Sequence, residues 1–428
     1  MFINNKIRIL NFFIALIPLS LILGNSATNI NIITICILGL LLYGKKIFFI
    51  EDKIYQYLIY IFFFYVIVIT FYNNVFYFNE NSLYKVNFFK SLFLLRFLIL
   101  FLIINQLIAN NALNFKLFYI SCAFFSFLIS FDLLFQVIFK KNLIGLEISI
   151  KKPSSFFGDE NIAGGYLQKF ILFFIFFCAL SKKIINKENL LFILFIIFSI
   201  PIMLTVNRMP ALIYLATFIF YLLMHKRFKQ FLLAIFLLIS IVLFLTKNQV
   251  VERIDTQFKV FKTDVVHLIT RAPQLFLYNQ YDGVLNMGST GYLVHFNSGI
   301  QIWKKNKIFG NGLKSFPLNC KYGDNQTCNT HPHNYVIEIM VDTGIIGLVL
   351  IYSLFIIALL KFLKFYFSNK NQRSKFILLP IFFVIFFEFF PFRSSGSFFT
   401  TSNAIVIFLF LSFFINFKKI NFQDLNYK

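Results

Sequence analysis

The chain has 428 residues, of which 59% are hydrophobic and only 13% charged, with a mean hydropathy of +0.78. A soluble globular domain is about 45–50% apolar and about a quarter charged, so a single water-soluble core is excluded. The formal charge of +23 does not point to nucleic acid, because the cations cluster in short loops between apolar runs, where they orient membrane segments. No nucleic-acid partner is expected; membrane lipids are.

Runs of mainly apolar residues long enough to cross a bilayer recur from end to end. The opening MFINNKIRIL and the apolar run after it look like a signal peptide, but the next run follows almost at once and no small-residue cleavage site stands out. They read as a retained first span. Twelve spans are predicted, near 7–24, 28–44, 54–72, 88–108, 116–139, 161–180, 189–206, 210–224, 229–246, 344–363, 375–392 and 402–417. With the N-terminus in the cytoplasm, Lys45, Lys46, Lys53, Lys182, Lys183, Lys187, Lys226, Arg227, Lys229, Lys361, Lys364, Lys370, Arg373, Lys375, Lys418 and Lys419 all fall inside.

Three polar stretches then face outward: Lys140 to Asn161, the turn VNRMP from Val206 to Pro210, and the long segment from Lys247 to His333. The expected organisation is a membrane bundle over 1–246, a large outer loop over 247–333 and a C-terminal membrane segment over 334–428, working as one unit. A loop of that length is usually functional. Cys36, Cys122 and Cys178 lie within spans. Cys320 and Cys328 lie in the large loop, where an oxidising compartment favours a disulfide between them; two free thiols is the other reading.

The stretch THPHNYVIEIMVDTGIIGL, Thr330 to Leu348, sets chemistry against the start of a span. Pro332 breaks the chain, Asn334 is a natural N-cap, and helix-period apolar residues follow. Glu338 and Asp342 fall on one face, and Gly344 and Gly347 permit a bend or close approach before the long apolar run. A short half-helix leading into a true span is predicted, with His333 at its start. Such a start favours anions, and a histidine there can take a proton from an alcohol or simply cap the helix. An HxH pair can bind metal, but no further ligand is clearly placed. Arg208, in a tight outward turn, either snorkels to lipid headgroups or donates to a phosphate. Lys151 and Lys152 offer further positive charge on the same side, and Asp132 and Glu388 are the main carboxylates inside spans.

These residues resemble the O-antigen ligase and polymerase family. His333 and Asn334 are followed by nine residues, Gly344, two residues and Gly347, which is the family's spacing. WKKNKIFGNGLKSF, with Trp303, Gly310 and Gly312, is similar to the family's segment upstream. SSFFGDENIAGGYLQKF resembles its stretch after the first outer loop, and Arg208 sits where the family keeps a functional arginine. One departure is Lys152, which stands where relatives often have arginine and gives up bidentate phosphate recognition.

The resemblance implies an all-α, polytopic bundle of about twelve transmembrane helices with a large periplasmic loop, similar to the C-type glycosyltransferases. It implies a bacterial inner-membrane enzyme of lipopolysaccharide assembly, acting at the periplasmic face. The donor would be a glycan on a polyprenyl diphosphate (undecaprenyl diphosphate), and the acceptor a hydroxyl of lipid A-core or of a second lipid-linked glycan. No cofactor and no metal are expected; Asp159 and Glu160 are the nearest outer acidic pair. His333 would be the base, with Arg208, Lys152 and Asn334 on the diphosphate. Polymerase and, from another class, secondary transporter are the competing readings; no internal repeat supports the latter.

Overall fold

The computed structural model describes residues 2–77, 83–147, 153–158, 160, 162–180, 187–225, 292–320, 329–369 and 371–420. Among these residues there is no strand, only an isolated bridge between Lys141 and Glu147; the rest of the regular structure is helical. In chain order the helices are α1 (Phe2–Ala15), α2 (Ile17–Leu23), α3 (Asn25–Tyr43), α4 (Lys53–Tyr77), α5 (Leu83–Phe93), α6 (Leu95–Ala109) and α7 (Phe115–Phe139). They continue with α8 (Ala163–Ala179), α9 (Lys187–Leu204), α10 (Arg208–Met224), α11 (Tyr292–Lys305), α12 (Phe316–Asn319), α13 (Tyr335–Ser368), α14 (Gln372–Glu388) and α15 (Thr401–Ile415).

Among the described residues, six helical stretches are long and apolar enough to cross a membrane, or seven if the bent pair α1–α2 is one span. The bend of 44° follows from Pro18 at the start of α2, which has no N–H to continue the ladder. The predicted span at 88–108 falls on a candidate span that begins earlier, Lys85–Ala109, where α5 and α6 join through Leu94. The prediction at 229–246 lies outside the described residues. Helices α8, α10, α14 and α15 sit at predicted spans but are short, 15–17 residues each.

Burial explains how short apolar helices hold their place. α15 is buried from Ala404 to Phe414 and packs on α6 and α14; α8 packs on α7, α9 and α14. Around this centre stand helices that turn large apolar side chains outward, with Leu41 72%, Phe64 70% and Ile138 70% exposed. A soluble protein does not present such a surface from every side. Facing hydrocarbon it costs nothing, and helices satisfy their own backbone.

The polar residues separate to two ends. At one, Lys361 pairs with Asp52 at 2.7 Å and Lys419 with Glu51, and the Gln106 amide donates to the carbonyls of Lys46 and Phe49. These lysines belong to the set assigned to the cytoplasm. Lys361 lies on α13 about 40 Å of helix from Asn334, at ~1.5 Å per residue, and the candidate site occupies the other end.

Candidate functional site

The site is built on a broken helix. Gly344 interrupts α13 with φ 63° and ψ −168°, which orphans backbone groups on both sides of the break. The loop after α11 supplies partners for them. Ile345 and Ile346 N–H donate to the carbonyls of Lys307 (3.0 Å) and Ile308 (3.4 Å), while Asn311 and Gly312 N–H donate to the carbonyls of Val341 (2.9 Å) and Asp342 (2.8 Å). A segment of loop thus splices the two halves of the helix.

The glycines are there because backbones touch. A Cβ on Gly310 would lie 2.4 Å from the Gly344 nitrogen, and one on Gly344 2.1 Å from the Ile308 oxygen. Both residues also have positive φ. A Cβ on Gly347 would fall 2.0 Å from Thr343 Oγ1. Gly312, with φ 86°, passes close to Thr70 of α4, where Thr70 Oγ1 accepts from Leu313 N–H at 2.9 Å. Trp303 Nε1 donates to the Lys307 carbonyl at 3.0 Å and fixes the start of the loop. Thr70 is seven residues from Tyr77 at the end of α4, so the loop docks against that helix ~10 Å short of its end.

Behind the splice lie the two carboxylates of the half-helix. Asp342, fully buried, accepts from Lys314 N–H (2.8 Å), Ser315 N–H (3.1 Å) and Ser315 Oγ (2.9 Å). Glu338, 2% exposed, pairs with Lys314 Nζ at 3.6 Å and accepts from Ser397 Oγ and from Phe398 N–H (2.6 Å). Both carboxylates therefore organise backbone and lysine.

At the head of the half-helix, Asn334 is the N-cap, as its sequence position predicts: its Oδ1 accepts from Ile337 N–H at 3.0 Å. Its Nδ2 donates to the carbonyls of Pro391 (2.8 Å) and Arg393 (2.9 Å). With both ends of the carboxamide bonded inside the protein and the residue 4% exposed, its side chain is a strut. Any diphosphate contact expected at Asn334 therefore falls to the backbone of the helix start rather than to the carboxamide. Arg393 meets Glu388 at 3.1 Å, and Lys169 of α8 meets the same carboxylate at 3.4 Å. Two buried cations thus share one buried anion beneath the capping residue.

His333 adopts φ 56°, a left-handed conformation that L-residues enter only when held there. Ser395 N–H holds its carbonyl at 2.8 Å, and Asn329 Nδ2 lies 2.9 Å from its Nε2. Its ring is 4.2 Å from that of His331 and 5.0 Å from that of His295 on α11. Burial is the main force holding His333 below the usual histidine range; His295 adds to it and a backbone hydrogen bond at Ser395 opposes it. His331 is pushed down to about 4, by burial first and then by His333, Lys314 and His295, against the same backbone bond. Both imidazoles are therefore neutral at pH 7, as a proton acceptor must be. No group of three or more His, Cys, Asp or Glu placed to hold a metal ion occurs among the described residues.

Arg208 is the first residue of α10 and is exposed. Its turn packs on the start of α8, where a Cβ on Gly164 would lie 2.5 Å from Thr205 Oγ1 and 3.0 Å from Asn207. Lys151, Lys152 and Asp159 lie outside the described residues, but the flanks of their loop are pinned: Asp132 accepts from Ser155 Oγ and Leu143 N–H, and Gln136 from Ser154 and Ser155 N–H. Cys320 is disulfide-bonded and Cys36, Cys122 and Cys178 are free; Cys328 lies outside the described residues.

The structure thus joins His333, Asn334, Gly344, Gly347, Trp303, Gly310 and Gly312 into one assembly. Sequence reasoning missed Lys314, Lys169, Arg393, Ser395, Ser397, His295 and Asn329. Lys314 and Lys169 lie within the segments WKKNKIFGNGLKSF and SSFFGDENIAGGYLQKF; for Arg393, Ser395 and Ser397 the hint was compositional, a Ser/Thr/Gly-rich loop, RSSGSFFTTSN, between two apolar runs.

Fold and site together define a helical membrane protein whose candidate chemistry lies on a spliced half-helix. A family model described as O-antigen ligase matches residues 193–352, a stretch containing α10, the loop after α11 and the whole His-Asn to Gly-x-x-Gly element. Over those residues the chain is similar to the O-antigen ligase family. No curated protein matches the chain.

Proposed function

We propose that the chain is an O-antigen ligase, transferring a glycan from an undecaprenyl diphosphate carrier to a hydroxyl of lipid A-core at the periplasmic face of the inner membrane. The observation that carries this reading is His333: an imidazole in the family's motif, held by the Ser395 N–H in a left-handed backbone conformation at the head of the half-helix. In the reaction, the acceptor oxygen attacks the anomeric carbon while His333 takes its proton. The bond from that carbon to the diphosphate breaks, and the diphosphate departs as an anion. It needs cationic stabilisation rather than a proton, which Arg208 and Lys152 supply. Attack opposite the leaving group inverts the anomeric centre. No metal is invoked, since Glu338, Asp342 and Glu388 each serve lysine, arginine or backbone partners.

The apolar outer faces of the surrounding helices support lipid-anchored substrates. The transporter reading loses its two span carboxylates: Asp132 anchors a loop and Glu388 neutralises Lys169 and Arg393. The polymerase reading uses the same residues with a second lipid-linked glycan as acceptor. A strain lacking the gene, complemented with wild type or His333→Ala, separates them when lipopolysaccharide and carrier-linked glycans are resolved by size. Lost surface polymer with long chains stranded on the carrier means ligase. Single-repeat surface molecules with short carrier-linked glycans mean polymerase. A normal profile with His333→Ala removes His333 from the chemistry.

A further inference from the structure

The carboxamide of Asn329 has a defined orientation. Its Oδ1 accepts from Thr330 N–H at 2.7 Å, so the end that meets His333 Nε2 at 2.9 Å is the Nδ2 amide. An N–H aimed at an imidazole nitrogen requires a lone pair there. Nε2 is therefore bare and the ring proton resides on Nδ1.

A general base needs this same lone pair. The acceptor hydroxyl must approach along its axis to about 2.6–3.2 Å, and one in-plane lone pair cannot serve two donors in that direction. We infer that Asn329 is a placeholder for the acceptor: between turnovers its Nδ2 stands where the attacking hydroxyl oxygen must arrive, keeping His333 in the productive tautomer until the hydroxyl displaces it. Asn329 and Thr330 are both exposed, so the carboxamide can swing away without disturbing packing. Asn329 is a positioning residue in this scheme. The inference rests on His333 being the base of the proposed transfer and names what its substrate must replace, a hydroxyl donor of the acceptor glycan.

The test uses the full-length protein in lipid nanodiscs, wild type and Asn329→Ala, with ¹⁵N-labelled histidine and with His333→Asn to assign the His333 signals. Wild type is expected to show a protonated Nδ1 and a bare, hydrogen-bonded Nε2, and Asn329→Ala to shift Nε2 and mix the tautomers. In transfer assays with a lipid-linked donor, Asn329→Ala is expected to lower the acceptor KM about threefold to tenfold, the factor a single net hydrogen bond is worth. A proton on Nε2 in wild type overturns the inference, as does an acceptor KM that is unchanged or raised, or loss of transfer. If the wild-type protein moves no lipid-linked glycan, the transfer reading fails and the placeholder role with it. The tautomer arm needs no substrate and still reports whether Asn329 sets the ring.

Discussion

At the scale of single residues, His333 combines two demands that sequence shows only in part. Its place before an N-cap is legible in the motif; its left-handed backbone is not, because the Ser395 N–H that holds it comes from 62 residues further along the chain. Asparagine tolerates φ above zero better than most residues, so His333→Asn should keep the fold and remove the proposed base. We expect an unchanged melting temperature in detergent and transfer reduced about 10²–10⁴-fold. The lowered pKa of His333 also fixes a pH dependence. The base is neutral above its folded pKa, which lies below the ordinary 6.5, so transfer should hold from pH 7 to below 6.5 and fall only at more acidic pH. An acid limb centred above 6.5 would contradict the environment described. His331 bears on stability instead: its folded pKa is depressed to about 4, so the unfolded chain binds the extra proton first. Stability at the site should therefore decline as pH falls from 6.5 towards 4, seen as faster amide exchange at 329–334.

At the scale of elements, the splice across Gly344 assigns a task to each motif glycine. The bend was legible from Gly344 and Gly347, and the Gly-x-Gly turn from Gly310 and Gly312. That one fills the break in the other was not, since neither sequence records which loop approaches which backbone. Gly344→Ala combines a positive φ with a Cβ 2.1 Å from a backbone oxygen, and no flexible side chain can yield. We expect it, and Gly310→Ala, to cost at least ~2 kcal/mol of stability and to abolish transfer. Gly347→Ala meets a threonine side chain and should be milder. Thermal unfolding of the three purified variants in one detergent gives the order; a Gly344→Ala protein as stable as wild type would mean that the splice carries no weight.

For the whole molecule, apolar runs announced most of the helices because hydrocarbon outside and protein inside both demand continuous apolar helix. The polar bonds that tie those helices together were hidden, as they join residues far apart in sequence: Lys169 of α8, Glu388 of α14 and Arg393 beyond it. Each reads alone as an oddity in or beside a span. Removing the shared anion strands two buried cations, and breaking a buried pair by removing one partner costs about 3–5 kcal/mol. Glu388→Gln should therefore destabilise strongly, and Lys169→Gln in the same chain should restore part of the loss. A double variant no more stable than the single one would refute the shared-charge account.

The loop from Pro391 to Phe398 has a consequence for how the protein is made. The residues matched to the family end at 352, and the backbone bonds of the splice all lie between 307 and 346, within that stretch. The backbone of His333, the amide of Asn334 and the carboxylate of Glu338 find their partners only in 391–398. Synthesis therefore delivers every motif residue well before the site exists. A chain cut after α13 would carry the whole matched stretch, and we expect it to lack the proposed transfer, because the 391–398 loop and the buried helix α15 would be missing.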